Sequence, residues 1–380
     1  MKVAARGAVA PFLAMEVLKA ANRREAAGGD VLHMEVGQPG AGAPQRVIEA
    51  AKRALDRNQI GYTDALGIAP LRERIARHYR DYYGVEVAAE RVVVTTGSSG
   101  GFLLAFLAAF DAGDRVALVQ PGYPAYRNIL LAYGLEAVLL EAGPESRFQP
   151  SVEMLEAEGG RLDGLVVASP ANPTGTMLSA EALKALVDYC AERRIRLFSD
   201  EIYHGITYEG RAETALSLSQ DAVVVNSFSK YYCMTGWRLG WLVLPEELVR
   251  PVERLAQNLF ISSPTVSQIA AVEAFDCAQE LDANVARYAH NRALLLAQLP
   301  KAGFDKLAPA DGAFYLFADV GRLTNDSQAF CRRMLEETGV ATTPGVDFDV
   351  ARGQTYVRFS FAGPEQDMAE AAARLGRWLS

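Results

Sequence analysis

Between residues 91 and 244 the sequence alternates short apolar runs with helical stretches, and nearly every run ends in glycine or polar residues. The runs span residues 92–95, 115–119, 136–141, 165–168, 195–198, 223–225 and 239–244. Helices are predicted over 102–110, through Tyr133, and over 180–193. Strands that are apolar without interruption are buried on both faces, which predicts an α/β fold with a mostly parallel sheet sandwiched by helices. Such sheets bind ligands just beyond the carboxyl ends of their strands. The residues immediately after each run are therefore the candidates for a site.

Around this block the pattern changes. Residues 12–27 read as a helix, 31–36 as a strand, and Gly37-Gln38-Pro39-Gly40 opens a loop to Pro44. Helices come next over 45–57 and 69–83, the second with Pro70 in its first turn. Beyond Pro245 helices are predicted over 246–260, 266–278 and 282–299. Strands 314–320 and 355–361 then alternate with helices 328–338 and 365–379. This divides the chain into a large domain, 46–280, and a smaller α+β domain formed by 1–45 with 281–380.

Composition narrows the class of ligand. The 380 residues are 50% hydrophobic and 22% charged, enough for a large core, and carry a net charge of −8. No basic face is advertised for nucleic acid or an anionic membrane, so an anionic ligand has to be held by local groups. The four cysteines (Cys190, Cys233, Cys277, Cys331) are scattered without a CxxC pair, which reads as reduced thiols and no metal set. The first residues hold no apolar leader, and no run of about 20 apolar residues occurs, so a cytoplasmic protein is expected.

Taken singly, the strand-end residues have ordinary explanations. Gly97-Ser98-Ser99-Gly100-Gly101 reads as a turn before a helix, Asp200 as a helix cap, Asn172 as a turn residue and Tyr123 as a packed aromatic. Lys230, Arg238 and Arg358 read as solvated cations. The nucleotide motifs Gly-x-Gly-x-x-Gly and Gly-x-x-x-x-Gly-Lys-[Ser/Thr] are absent. All these residues nevertheless map to one sheet edge. A phosphate cup, a buried carboxylate, a planar aromatic, a turn amide, a lysine and an arginine are what a phosphorylated pyridine aldehyde requires.

The motifs Gly37-Gln38-Pro39, Tyr62-Thr63 with Gly67 and Leu71-Arg72, Thr96-Gly97-Ser98-Ser99 and Pro121-Gly122-Tyr123-Pro124 occur in that order along the chain. Asn172-Pro173-Thr174-Gly175, Asp200-Glu201-Ile202-Tyr203, Ser227-Phe228-Ser229-Lys230 and Gly236-Trp237-Arg238-Leu239-Gly240-Trp241 complete the series. In that order and spacing the chain resembles the class I/II aminotransferases of the fold-type I pyridoxal 5′-phosphate (PLP) enzymes over nearly its whole length. The resemblance implies a seven-stranded sheet in the large domain. It makes Lys230 the imine-forming lysine and proton carrier, with Asp200 on the pyridinium nitrogen and Asn172 and Tyr203 on the ring O3′. It implies that Tyr123 stacks on the ring. The phosphate falls to Gly97, Ser98, Ser99, Ser227, Ser229 and Arg238, and to Tyr62 of a neighbouring subunit in a homodimer. Arg358, with Asn172 and the Gly37 backbone, is expected to clamp the substrate α-carboxylate.

The implied reaction is a ping-pong transfer of an amino group between an L-amino acid and a 2-oxo acid. A PLP-dependent β-lyase on the same fold is the alternative; an effector-sensing domain is disfavoured, since no helix-turn-helix segment is attached. The loop Gly40-Ala41-Gly42-Ala43-Pro44 departs from the acidic-aromatic pair frequent in relatives. No second arginine is identified for a distal carboxylate, although Arg6, Arg127 and Arg147 are candidates.

Overall fold

The computed structural model describes residues 1–380. After a two-residue strand, β1 (Leu32–His33), the chain builds its main sheet from β2 (Val92–Thr95), β3 (Arg115–Gln120), β4 (Glu136–Glu141), β5 (Gly164–Ala168), β6 (Arg196–Asp200), β7 (Val223–Ser227) and β8 (Gly240–Val243). Their order across the sheet is β2-β8-β7-β6-β5-β3-β4. All neighbouring pairs are parallel except those made by β8, which runs antiparallel to β2 and β7. Alternate residues feed two separate cores. Val94, Ala117, Leu165, Leu197 and Val224 face one helical layer. Val93, Val116, Val166, Phe198 and Val225 face the other. The period-two pleat of doubly buried strands explains why the sequence shows unbroken apolar runs.

The remaining strands are β9 (Lys306–Leu307), β10 (Tyr315–Asp319), β11 (Val340–Ala341), β12 (Thr343–Pro344) and β13 (Tyr356–Ser360). Four of them form an antiparallel sheet, β12-β13-β10-β9, packed over Phe314, Leu316, Phe359 and Met368. β11 pairs instead with β1, in parallel. No helix is long and apolar enough to cross a membrane.

Three differences from the sequence reading bear on the site. The helix expected to begin at Phe102 begins at Gly97 and runs to Ala109, so the glycine-serine stretch is its first turn rather than a turn ahead of it. Two buried glycines in that turn, Gly100 and Gly101, concealed its helical start, because glycine is a weak helix former. Second, β6 extends to Asp200, which is therefore held by the strand ladder itself. Third, the helix expected over 69–83 is α-helical only for Ala69–His78 and widens into a π turn over Tyr79–Tyr83, ended by Gly84 at φ 72°. The helix Val152–Glu158, capped by the Ser151 side chain, and the short strands β9, β11 and β12 carried no periodic signal.

Candidate active site

A cavity of about 520 Å³ opens at the carboxyl ends of the central strands and is closed on its other side by the N-terminal helix Leu13–Ala26 and the small sheet. Lys230 lies three residues beyond β7 and is half-buried in the wall, its Nζ donating to the Gly37 carbonyl. Removal from water lowers its pKa to about 8, assisted by the charges of Arg358 and Arg238 and opposed by Asp200. A nucleophilic amine at near-neutral pH requires this setting.

Asp200 is only 4% exposed. Its Oδ1 accepts from the Ile202 amide at 3.1 Å and its Oδ2 accepts from the Tyr126 hydroxyl. Burial raises its pKa to about 6 against the pull of those bonds and of Lys230. No lysine, arginine or histidine forms an ion pair with it.

At one end of the cavity the helix Gly97–Ala109 presents its first turn, with Ser98 and Ser99 on the wall. Gly97 sits at φ +68°, and a Cβ there would lie 2.5 Å from Arg238 Nη2, so only glycine lets the guanidinium close over this turn. Arg238 is itself left-handed (φ 53°) and bonded through Nη1 to the Thr235 carbonyl at 3.0 Å. Helix amides, two hydroxyls and an arginine without an acidic partner make an anion cup. Ser229 lines the cavity. Ser227 stands behind it, its Oγ 2.9 Å from Ser229 Oγ and 3.1 Å from the Leu239 carbonyl, so it braces Ser229 from outside the cavity.

At the other end Arg358 is 1% exposed, yet touches no carboxylate. Its Nη1 donates to Asn172 Oδ1 at 2.8 Å, and its Nη2 reaches the Glu35 carbonyl and, at 3.2 Å, Thr343 Oγ1. Nε has no partner. Its guanidinium lies 4.4 Å from the centre of the Tyr315 ring. Gly37 completes this corner, because a Cβ there would fall 2.1 Å from the Tyr315 hydroxyl. That hydroxyl lies 2.6 Å from the Tyr203 hydroxyl. Tyr123 lines the cavity between the two ends, edge-on to Tyr126 and to Phe12.

Of the residues singled out in the sequence, Lys230, Asp200, Tyr203, Ser98, Ser99, Tyr123, Asn172, Ser229, Arg238, Gly37 and Arg358 thus line one cavity. Gly97 and Ser227 support its wall from behind. Tyr62 is outside it, 83% exposed on the surface of the chain. Arg6, Arg127 and Arg147 are also outside, Arg147 being paired with Asp311.

Residues 29–375 match the family described as aminotransferase class I and II. The chain belongs to that family. Across its whole length it is 55% identical to a valine–pyruvate aminotransferase of Mycobacterium tuberculosis, covering 98% of that protein. A crystal structure of an aminotransferase from the same organism, also 55% identical, superposes with a TM-score of 0.98 over 100% of this chain and 99% of that one. The aspartate aminotransferase of Thermus thermophilus with maleate is 32% identical and superposes at 0.93 over 99% of both chains.

As an aminotransferase of this class the protein is a PLP-dependent enzyme, and the cavity fits that cofactor. Three cations, Lys230, Arg238 and Arg358, line it against one acid, Asp200, a balance that calls for a ligand with more than one negative charge. A buried carboxylate lacking a cation, opposite an anion cup and beside an unpaired amine, matches a protonated pyridine bearing an aldehyde and a phosphate.

Several cavity residues of this aminotransferase carried no signal in the sequence reading. Tyr126 holds Asp200, Tyr315 holds Tyr203, and Phe12, Met15, Leu18 and Val36 form an apolar wall together with Ile202 of the Asp200–Tyr203 motif. Tyr126 was reachable, since it stands one helical turn after Tyr123 on the same face. The others look like ordinary core residues in a linear sequence.

Proposed function

We propose that this aminotransferase transfers the amino group between an L-amino acid with an uncharged, branched apolar side chain, such as valine, and a small 2-oxo acid, such as pyruvate. The observation that carries this reading is the composition of the cavity wall. Apart from Arg238 at the anion cup and Arg358 beside Asn172, no arginine, lysine or histidine other than Lys230 lines it, and Phe12, Met15, Leu18, Val36 and Ile202 are apolar. No cation of this chain would pair with a second substrate carboxylate there, and a carboxylate buried without one costs several kcal/mol. The name of the mycobacterial relative supports the same substrate pair.

In this reading Arg358 and the Gly37–Asn172 corner hold the α-carboxylate, and the Arg358 Nε without a protein partner is the donor left for it. Arg238, Ser98, Ser99, Ser229 and the amides of the first turn hold the phosphate, with Gly97 and Ser227 shaping that cup. Asp200, steadied by Tyr126, keeps the ring nitrogen protonated. Asn172 and Tyr203 bond the ring hydroxyl, and Tyr123 covers the ring face. Bound PLP supplies an electron sink for the bond broken at the substrate Cα. The amine of Lys230, which the incoming substrate would free, would take the proton from Cα and return it to the cofactor carbon on the far side of the substrate nitrogen. Donor and acceptor use the same cavity in turn, because the donor leaves as its 2-oxo acid before the acceptor binds.

Three finer elements belong to the same reading. Residues 46–280 form the large domain, and 1–45 with 281–380 the small one. The division is supported by the two clusters flanking the main sheet, which take only Leu281 from outside 46–280, and by the small-sheet cluster, which takes only Tyr203 and Ile206 from inside it. The protein works as a homodimer in which exposed Tyr62 reaches the partner's phosphate cup; the exposure of Ser99 and Arg238 at that end of the cavity supports this. A cytoplasmic location is supported by four buried, unpaired thiols.

The test is the donor half-reaction of holoenzyme with valine, alanine and aspartate, with release of the 2-oxo acid as the readout. Valine is expected to exceed aspartate by about 100-fold or more in kcat/KM, given the cost of the unpaired charge. Aspartate turning over as fast as valine would overturn the substrate assignment.

A further inference from the structure

The N-terminal helix Leu13–Ala26 carries three of the apolar wall residues, Ala14, Met15 and Leu18, and Phe12 precedes it directly. Of its residues only Ala14 and Ala21 are buried, so little packing fixes its position. Its own N-cap position is Phe12, which offers no side-chain oxygen to the first amides. The cap comes from the far end of the chain. Asp347, in the turn Gly345–Asp347 directly after β12, accepts from the Leu13 amide at 3.0 Å and from the Ala14 amide at 3.1 Å, one on each carboxylate oxygen. It is 3% exposed.

That turn also continues from the strand that braces the carboxylate clamp. Thr343 in β12 bonds Arg358 at 3.2 Å and the Glu35 carbonyl at 2.8 Å. One short segment, Thr343 to Asp347, therefore registers both the group that holds the substrate carboxylate and the helix that faces its side chain.

We infer that Asp347 is a positioning residue for substrate selection: by capping the N-terminal helix from the small sheet, it sets the distance between the apolar wall and the Arg358 clamp. This inference rests on the apolar-donor reading above. Branched side chains that reach the wall depend on the cap, whereas a methyl side chain is too short to sense the wall's position.

The experiment compares kcat/KM for valine and alanine in holoenzyme carrying Asp347→Asn, Leu13→Pro or Met15→Ala, with thermal melting of each. Leu13→Pro deletes one capped amide at a position where proline suits a helix start, and it leaves Asp347 in place should Asp347→Asn fold poorly. The valine-over-alanine ratio is expected to fall about tenfold in Asp347→Asn, mainly through KM for valine, and less in Leu13→Pro. Combining Asp347→Asn with Met15→Ala should lower the ratio no further than the larger single effect, because both act on one wall. An unchanged ratio in both cap variants, or an equal loss on both substrates accompanied by a lower melting temperature, overturns the inference. Wild-type enzyme that prefers aspartate to valine overturns the underlying reading as well, which separates the two failures.

Discussion

The floor and the far wall of the cavity are built on opposite principles. The floor is polar and charged, and each of its groups leaves the end of a strand or the first turn of a helix anchored in the seven-stranded sheet. Its cation Arg238 and its acid Asp200 lack protein counter-ions, so they are held ready for a ligand at the expense of the unliganded chain. The far wall is apolar and comes from a helix with two buried residues, capped at its start by Asp347 and tied at its far end by Ala21 against Leu335 and Ala341 and by Arg24 to the Glu336 carbonyl. In the proposed reading, the sheet fixes the chemistry and substrate choice falls to an element with few buried residues, which can change without disturbing the sheet.

The largest expected effect falls on the floor. In the proposed mechanism Lys230→Ala removes both the amine that captures the cofactor and the proton carrier, so transamination of valine with pyruvate should fall by at least about 10⁴-fold. Borohydride treatment should then leave no cofactor mass on the protein. Substantial residual turnover would undo the contrast, because the floor would no longer own the chemistry.

Arg358→Lys replaces a fork with a point charge where the two terminal nitrogens serve different protein partners and Nε is left free. KM for amino-acid donors should rise about 10- to 100-fold in steady-state assays, alike for valine and alanine. That uniformity, set against the selective loss expected at Asp347, would separate clamp from wall more cleanly.

Asp200→Asn tests whether the floor is stressed. Turnover should drop about 100-fold or more, while apo-protein at pH 8 melts about 2–4 °C higher because a buried, unpaired carboxylate is gone. A lower apo melting temperature would contradict the idea of stored strain.

The smallest effect is in pH. Asp200, raised from its ordinary value to about 6 by burial, penalises the folded state once ionised, so apo stability falls as pH rises from about 4 to 6. Lys230, lowered to about 8 chiefly by burial and next by Arg358 and Arg238, penalises the folded state while protonated. Stability therefore recovers as pH rises through 8. The gap in melting temperature between apo Asp200→Asn and apo wild type should therefore widen as pH rises from about 4 to 6 and hold steady above that. Other buried groups, such as Glu201, raised by burial to about 8, contribute to both proteins alike.

The floor was legible in the sequence for a physical reason. A residue at the mouth of a doubly buried strand has its position dictated by the strand, so Asp200, Asn172, Tyr123 and Lys230 could be placed from local pattern alone. The start of the helix was misplaced because Gly97, required by the closeness of Arg238, and Gly100 and Gly101 behind it suppress the helical signal. The wall was illegible. Met15 and Leu18 have the spacing of any amphipathic helix, and Asp347 meets Leu13 across 334 residues of sequence without a motif at either end. The tyrosine pair Tyr203–Tyr315 likewise joins two elements that are remote in sequence.

The pairing of β1 with β11 has a consequence for how the enzyme is made. Leu32 meets Val340, which the ribosome delivers 308 residues later (340 − 32), so β1 has no partner until the small sheet is being made. The central sheet, whose strands are closer neighbours along the chain, can assemble in the meantime. A nascent chain should thus acquire its cofactor-binding floor well before its substrate wall, and chains terminated before Val340 should hold the floor with the N-terminal helix undocked.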